Sequence, residues 1–298
     1  MGDLRLDPVS GMRVVVAPGR AERPGAFAAV GPRTPRQTPS ECPFCAGHED
    51  RTPPETLVLP GTDGRWAVRV VPNLYPALDR PDGINEVVIH TPSHTTAFAE
   101  LSEHDVERIC GAWANRARAH ADAGQRTLLC SINDGPGSGA SLDHTHSQLT
   151  ATSFVPPLVA ARLRRFEAGC PVCAELSAAQ APALTVEERD GIRVYAPWAS
   201  ALPYQLRAAP LAHEPDALAH AHSLATALTA IGRVYTRTLG DVPWNAWLHT
   251  RPLDRDEPAL HWHVEAFPRI TVLASLELGA GLPVCAIEPE AAALRLRG

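Results

Sequence analysis

The stretch Asn133-Asp-Gly-Pro-Gly-Ser-Gly-Ala-Ser-Leu-Asp-His-Thr-His-Ser-Gln148 decides how this chain is read. Its glycines, Gly135, Gly137 and Gly139, let backbone N–H groups close on a phosphate with no Cβ in the way. Thr127–Asn133 before them reads as a strand, and His144 and His146 after them are spaced as i and i+2. That spacing puts two side chains on one face of a strand, with Gln148 next on the same face. An imidazole beside a phosphate cradle suits attack on an α-phosphorus, giving a covalent nucleotidyl-histidine. His146 is therefore the candidate nucleophile. Ser141 and Gln148 are neutral donors for the charge that develops on oxygen. His146 would attack as neutral imidazole, its other nitrogen held by a backbone carbonyl or another acceptor. The competing reading makes His146 a core histidine or a support for a metal ligand.

Working outward, the same order of elements occurs twice. The first half runs through Cys42-Pro-Phe-Cys45, Arg65–Pro72, the alternating strand Asn85–Thr91, His94, a helix over 101–120, the strand, the loop and His144-Thr-His146. Ser102, with Asp105 three residues on, is the expected cap of that helix. The second half runs through Cys170-Pro-Val-Cys173, a strand within Arg189–Pro197, His213, a helix over 216–239, the strand-like Trp244–Thr250 and His261-Trp-His263. Cys45 to His94 is 49 residues and Cys173 to His213 is 40; His94 to His144 is 50 and His213 to His261 is 48. The expectation is an α+β chain of two repeated units, antiparallel sheets with flanking helices, divided as 1–165 and 166–298. Residues 46–64 read as a turn-rich connection, and 17–40 as an irregular arm carrying Arg20, Arg23, Arg33 and Arg36.

Seven cysteines in a chain without a secretion signal argue against disulfide stapling. Two Cys-x-x-Cys pairs in a chain with 13 histidines point toward metal. Cys42, Cys45, His94 and His144 make one tetrahedral zinc (Zn2+) set; Cys170, Cys173, His213 and His261 make a second, with His263 competing for the last place. An unliganded turn with ordinary core histidines is the alternative for each. Four protein ligands leave no open position for water, so both sites read as structural. His263 is the counterpart of His146, but the loop before it, 251–260, is acidic and glycine-free. One reactive centre is expected, in the first half. Cys110, Cys130 and Cys285 read as small buried hydrophobes.

Charge narrows the field. The chain of 298 residues has 33 acidic side chains against 27 basic ones, a net charge of −6, and every one of those 27 is arginine. The absence of lysine excludes a P-loop or Schiff-base lysine, and the net charge argues against nucleic acid. No apolar run approaches the ~20 residues that cross a bilayer. A cytoplasmic protein acting on small phosphorylated molecules is expected.

With these motifs in place, the chain resembles the galactose-1-phosphate uridylyltransferase family of the histidine-triad superfamily. The likeness is strongest in Asn-x-Gly, Gly-Ala-Ser and His-x-His-x-Gln of residues 133–148, and it covers most of the chain. It implies tandem histidine-triad-like units, a homodimer, and transfer of UMP from UDP-glucose to galactose 1-phosphate. It implies that His146 becomes nucleotidylated and that Gln148 donates to the phosphoryl oxygen. It further implies that Asn133, Gly139, Ala140 and Ser141 contact nucleotide or phosphate, that Asn73 lies near the base, and that Arg20 and Arg23 bind nucleotide or sugar phosphate from the arm, across the dimer. Cys42, Cys45, His94 and His144 match the family's zinc ligands. Thr145 and Ser147 depart from the His-Pro-His-Gly-Gln form. They look closer to a branch that includes ADP-sugar adenylyltransferases acting as phosphorylases. Glu265 and Phe267 stand where family members carry histidines. An ADP- or GDP-sugar enzyme using phosphate, a nucleotide hydrolase, and a zinc-scaffold binding module are the alternatives.

Overall fold

The computed structural model describes residues 2–23, 26–27, 33, 36–62 and 64–298. Strands β1 (Asp3–Leu6) and β2 (Arg13–Val16) lead to β3 (Leu57–Pro60), β4 (Trp66–Pro72), β5 (Gly83–Ile89), helix α1 (Glu103–Asp122), β6 (Thr127–Asp134) and β7 (His146–Thr152). Short helices α2 (Pro157–Phe166), α3 (Pro171–Ser177) and α4 (Ala181–Leu184) follow. The second half then gives β8 (Thr185–Arg189), β9 (Ile192–Tyr195), β10 (Leu206–Pro210), α5 (Ala221–Leu239), β11 (Trp244–His249) and β12 (His263–Pro268). The chain closes with α6 (Ser275–Ala280), β13 (Val284–Cys285) and α7 (Pro289–Arg297).

Ten strands form one antiparallel sheet in the order β3-β4-β5-β7-β6-β11-β12-β10-β9-β8. Read from either edge, the order is that of one unit used twice, with β6 and β11 paired at the centre. The repeat expected from cysteine and histidine spacing is thus laid out as a two-fold pattern in one sheet. Strands β1, β2 and β13 make a separate small sheet.

Residue alternation divides the large sheet into two faces. Ser147 of β7 points to the helical side, where Trp113 of α1 donates from Nε1 to its Oγ at 3.0 Å. Trp113, Ile109, Ile231, Val234, Tyr235, Trp244 and Trp262 fill that side, with α1 and α5 laid against each other. Burial of this kind contributes about 25 cal/mol per Å² and is what holds a half-apolar helix on a sheet. His146 and Gln148 point to the other side.

Several boundaries differ from the sequence expectation. The first helix lies two residues later than expected, with Ser102 accepting from Asp105 N as its cap. The second is preceded by a separate 3-10 turn, Ala217–Ala219. Residues 46–64 are not all turn: β3 lies within them as the edge strand. The Arg189–Pro197 stretch is the second half of a hairpin turning at Asp190 and Gly191, whose φ values of 48° and 76° suit a two-residue Asp-Gly turn. The 17–40 arm lies partly outside the described residues. No helix among the described residues is long and apolar enough to cross a membrane, and Cys110, Cys130 and Cys285 are buried as expected.

Glu86 of β5 anchors α1 on the helical face, bonded to Arg116 at 2.9 Å and to His120 Nε2 at 2.9 Å. Burial raises its pKa, but the bonds from His120 and Arg116 outweigh this and bring it from 4.5 to about 2. A folded pKa below the unfolded value means stability that is present above pH 4.5 and lost as pH falls toward 2. Urea titrations of Glu86→Gln are expected to show lower stability at pH 7 and a shallower further loss between pH 4.5 and 2 than the parent protein shows.

Candidate functional site

The candidate nucleophile His146 opens β7 instead of lying within it. His144 stands just before the strand and His146 is its first residue, so the expected His-x-His strand is half strand, half turn. The break serves geometry. It frees the His144 carbonyl to accept from His146 Nδ1 at 2.8 Å. With that nitrogen donating, Nε2 carries the lone pair, and it has no hydrogen bond among the described residues. Phe44, from between the first two cysteines, lies edge-on to the His146 ring at 5.4 Å. Burial lowers the His146 pKa, with the His144 carbonyl opposing, so the neutral ring is favoured.

His144 is fixed from its other side. Its Nε2 donates to Thr91 O at 2.9 Å, leaving Nδ1 to face Cys42 Sγ at 3.5 Å and Cys45 Sγ at 3.7 Å; His94 Nδ1 lies 3.3 Å from Cys45 Sγ. One donor atom from each of these four residues lies within 4.8 Å of every other. A tetrahedron with bonds of about 2.1 Å to nitrogen and 2.3 Å to sulfur has N···S edges of about 3.6 Å. The donor set can therefore hold a divalent ion. Burial, and then the Cys42 thiol, push Cys45 up to about 12, a penalty on free thiolates that a dication reverses.

The second group repeats the first. Cys173 Sγ is 3.4 Å from His213 Nδ1 and 3.3 Å from His261 Nδ1, and Cys170 Sγ is 3.6 Å from His261 Nδ1. His213 and His261 donate from Nε2 to Pro258 O and Pro210 O, each at 2.9 Å. The place contested by His263 goes to His261, because His263 Nδ1 turns to the His261 carbonyl at 3.0 Å, as His146 does to that of His144.

The remaining residues surround His146 unequally. Gly139 has φ 96° and open space where a Cβ would stand, Ser141 is exposed beside it, and Ala140 is buried. Gln148 is half-buried one turn of the pleat from His146, its side chain unpartnered among the described residues. Asn133 accepts from Asn245 Nδ2 at 2.6 Å, and the same amide donates to Ser138 O at 2.7 Å, pinning the glycine loop to β11. Asn73 bonds to Asn85 at 2.7 Å. Asn85 is paired with Thr150, four residues along β7 from His146, so the Asn85 that holds Asn73 lies on the His146 face of the sheet, about 13 Å along the strand. The apolar group Phe44, Val71 and Val87 occupies the interval. Arg20 and Arg23 are not brought to this site within the chain. Both are exposed, at a short 3-10 turn following β2, with no side-chain partner among the described residues.

Three features went unread in the sequence. Phe44 was seen only as a spacer between cysteines. Arg36 bonds to Asp143 and to Ala140 O, and Arg33 to Asp134, so this later pair of arm arginines is the one at the loop. His249, His263 and Glu265 also converge within 4.8 Å. Arg162 bonds to Glu265 at 2.9 Å and to His249 Nε2 at 2.6 Å, and Arg207 to Glu265 at 2.6 Å. Two guanidiniums already supply the positive charge that a metal would bring there. Pairing of His249 with His263 comes from the β11–β12 register, which local spacing does not reveal.

Residues 72–156 match the family model described as galactose-1-phosphate uridyl transferase, N-terminal domain. Over 329 aligned residues the chain is 30% identical to ADP-glucose phosphorylase of Arabidopsis thaliana, covering 99% of this chain and 92% of that protein. It is 25% identical to the galactose-1-phosphate uridylyltransferase of Thermotoga maritima, covering 100% and 98%. The crystal structure of the Arabidopsis thaliana ADP-glucose phosphorylase with bound ADP-glucose superposes with a TM-score of 0.87 at 27% identity, covering 100% of this chain and 99% of that one.

Metal analysis of the purified protein is expected to find one divalent ion for each of the two Cys2His2 groups, and Cys173→Ser is expected to lose one of them. A protein that purifies without metal, and whose unfolding a chelator leaves unchanged, would contradict the assignment.

Proposed function

This chain belongs to the galactose-1-phosphate uridylyltransferase-like family of histidine-triad nucleotidyltransferases, and from that premise we propose that it transfers the nucleotidyl group of an ADP-sugar to phosphate. The observation that carries the proposal is the lock on His146: Nδ1 is committed to the His144 carbonyl at 2.8 Å, which leaves Nε2 as the nucleophile beside the glycine loop. In the first step Nε2 attacks the α-phosphorus, the bond from that phosphorus to the bridging oxygen breaks, and the sugar 1-phosphate leaves. In the second, an oxygen of phosphate attacks the same phosphorus, the P–N bond breaks, and a nucleoside diphosphate forms with His146 restored.

The chain's own residues divide the work. Gln148 and Ser141 donate to the non-bridging oxygens as charge builds on them, and backbone N–H groups near Gly139 and Ala140 line the loop. Asn133 fixes that loop. The nucleoside lies along Phe44, Val71 and Val87, with Asn73 at its far end. Zinc is the ion we assign to both groups. When bound it supplies rigidity to His144 and hence to His146, since four protein ligands leave no position for substrate.

Similarity to the ADP-glucose phosphorylase along almost the whole chain favours adenine over the uracil expected at first, and phosphate over galactose 1-phosphate. Transfer of UMP from UDP-glucose is the second reading, favoured by the similarity to the Thermotoga maritima enzyme. Two further assignments belong to this proposal. The chain divides at 165/166 into a catalytic and a non-catalytic unit, as the two-fold strand order suggests. Arg20 and Arg23, exposed and without a side-chain partner among the described residues, serve the site of a second copy in a homodimer.

Intact-mass spectrometry after incubation with ADP-glucose or UDP-glucose, without acceptor, tests the reading. An adenylyl adduct on His146 is expected, absent in His146→Asn and discharged as ADP by added phosphate. A faster uridylyl adduct would select the second reading. Sugar-nucleotide turnover in water without any adduct, or no reaction at all, would overturn both.

A further inference from the structure

A diphosphate at His146 brings two negative charges into a chain that has no lysine, so arginine must meet them. The two arm arginines at the glycine loop are not equivalent. Arg33 is 13% exposed and held by both Asp134 and Asp241. It also donates to Thr96 O at 2.7 Å, and its Cζ sits 3.0 Å from where a Cβ on Gly135 would stand. It is built into the loop's first turn, with each of its three nitrogens engaged within the chain.

Arg36 is arranged differently. Its side chain is 39% exposed. Nε donates to Asp143 Oδ1 at 2.7 Å and Nη1 to Ala140 O at 3.0 Å, while Nη2 has no hydrogen bond among the described residues. Ala140 belongs to the loop, and Asp143 immediately precedes His144. Asp143 is itself buried, its side chain 7% exposed. It also accepts from the backbone N–H groups of Arg36 and Gln37, so its carboxylate keeps partners when the guanidinium leaves. A guanidinium fork on a phosphate makes shorter, charge-assisted, bidentate bonds. Asp143 is therefore a partner that Arg36 can exchange for a phosphate.

We infer that Arg36 is a catalytic residue: held by Asp143 in the free protein, its guanidinium moves onto the phosphate that departs from, or arrives at, the nucleotidyl group on His146. The inference rests on the proposed nucleotidyl transfer and adds to it a cation supplied at the loop by the same chain. Neutral donors such as Gln148 and Ser141 can orient the non-bridging oxygens, but the leaving sugar phosphate gains charge as the bridging bond breaks, and a cation at the loop mouth is what stabilises it. Arg36 follows in the sequence from nothing but its place in the arm; its position at the loop depends on the bonds to Asp143 and Ala140.

The test is the rate of adduct formation with ADP-glucose in four proteins, each first shown to carry the parent's metal content: the parent, Arg36→Ala, Arg36→Lys and Asp143→Asn. Arg36→Ala is expected to slow the step by about 100-fold or more, with partial recovery in Arg36→Lys and in Arg36→Ala given millimolar guanidinium. Asp143→Asn, which frees the guanidinium, is expected to form the adduct at least as fast as the parent at saturating substrate. If Arg36→Ala matches the parent, the inference fails. It also fails if Arg36→Ala and Asp143→Asn are equally slow and guanidinium does not help, because the pair then only braces the loop. If the parent itself forms no adduct with any nucleotide sugar, the proposed function fails and takes this role with it, an outcome distinct from a defect confined to Arg36.

Discussion

Everything at this site depends on His144 being held at both ends. Its ring sits between Thr91 O and the Cys42–Cys45 sulfurs, and its carbonyl takes the Nδ1–H of His146. A nucleophilic imidazole must present a lone pair in one direction and be unable to change tautomer. A side-chain acceptor could rotate away; a backbone carbonyl whose own residue is anchored by its ring cannot. The Cys2His2 group is thus linked to the His146 ring through one peptide unit.

The second half shows what this device is worth by keeping it without the rest. His263 has the same bond to the His261 carbonyl, and His261 the same placement between sulfur and a backbone oxygen. Yet Glu265 stands where Gln148 stands, bound by Arg162 and Arg207, and the preceding loop has no glycine to open it. An anion approaching His263 would meet a buried carboxylate already paired with guanidiniums. The imidazole lock is a property of the repeated unit; the glycine loop and the glutamine unpaired among the described residues belong to one copy.

How much of this could be read from the chain depends on the range of the interaction. Cys42-x-x-Cys45 and Cys170-x-x-Cys173 announce themselves locally, and the equal order of later histidines carries each set to completion. The cap at Ser102 and the glycine loop are likewise written in adjacent residues. The acceptor for His146 Nδ1 left no trace, since any residue supplies a carbonyl. The strand starting at His146 instead of His144 was also invisible, because alternation continues through a residue whether or not it is paired. His249 beside His263, and Arg162 from α2 over Glu265, depend on register and helix placement across the sheet. Among the arm arginines, all four share one chemistry, and only the fold distinguishes Arg33 and Arg36 at the loop from Arg20 and Arg23 on the outside.

The central claim is the tautomer, and long-range 1H–15N NMR on imidazole-labelled protein addresses it without substrate. His146, assigned by comparison with His146→Asn, is predicted to show a protonated Nδ1 and a bare Nε2 in the free, metal-loaded protein. Finding the proton on Nε2, or rapid exchange between the two nitrogens, would contradict the account.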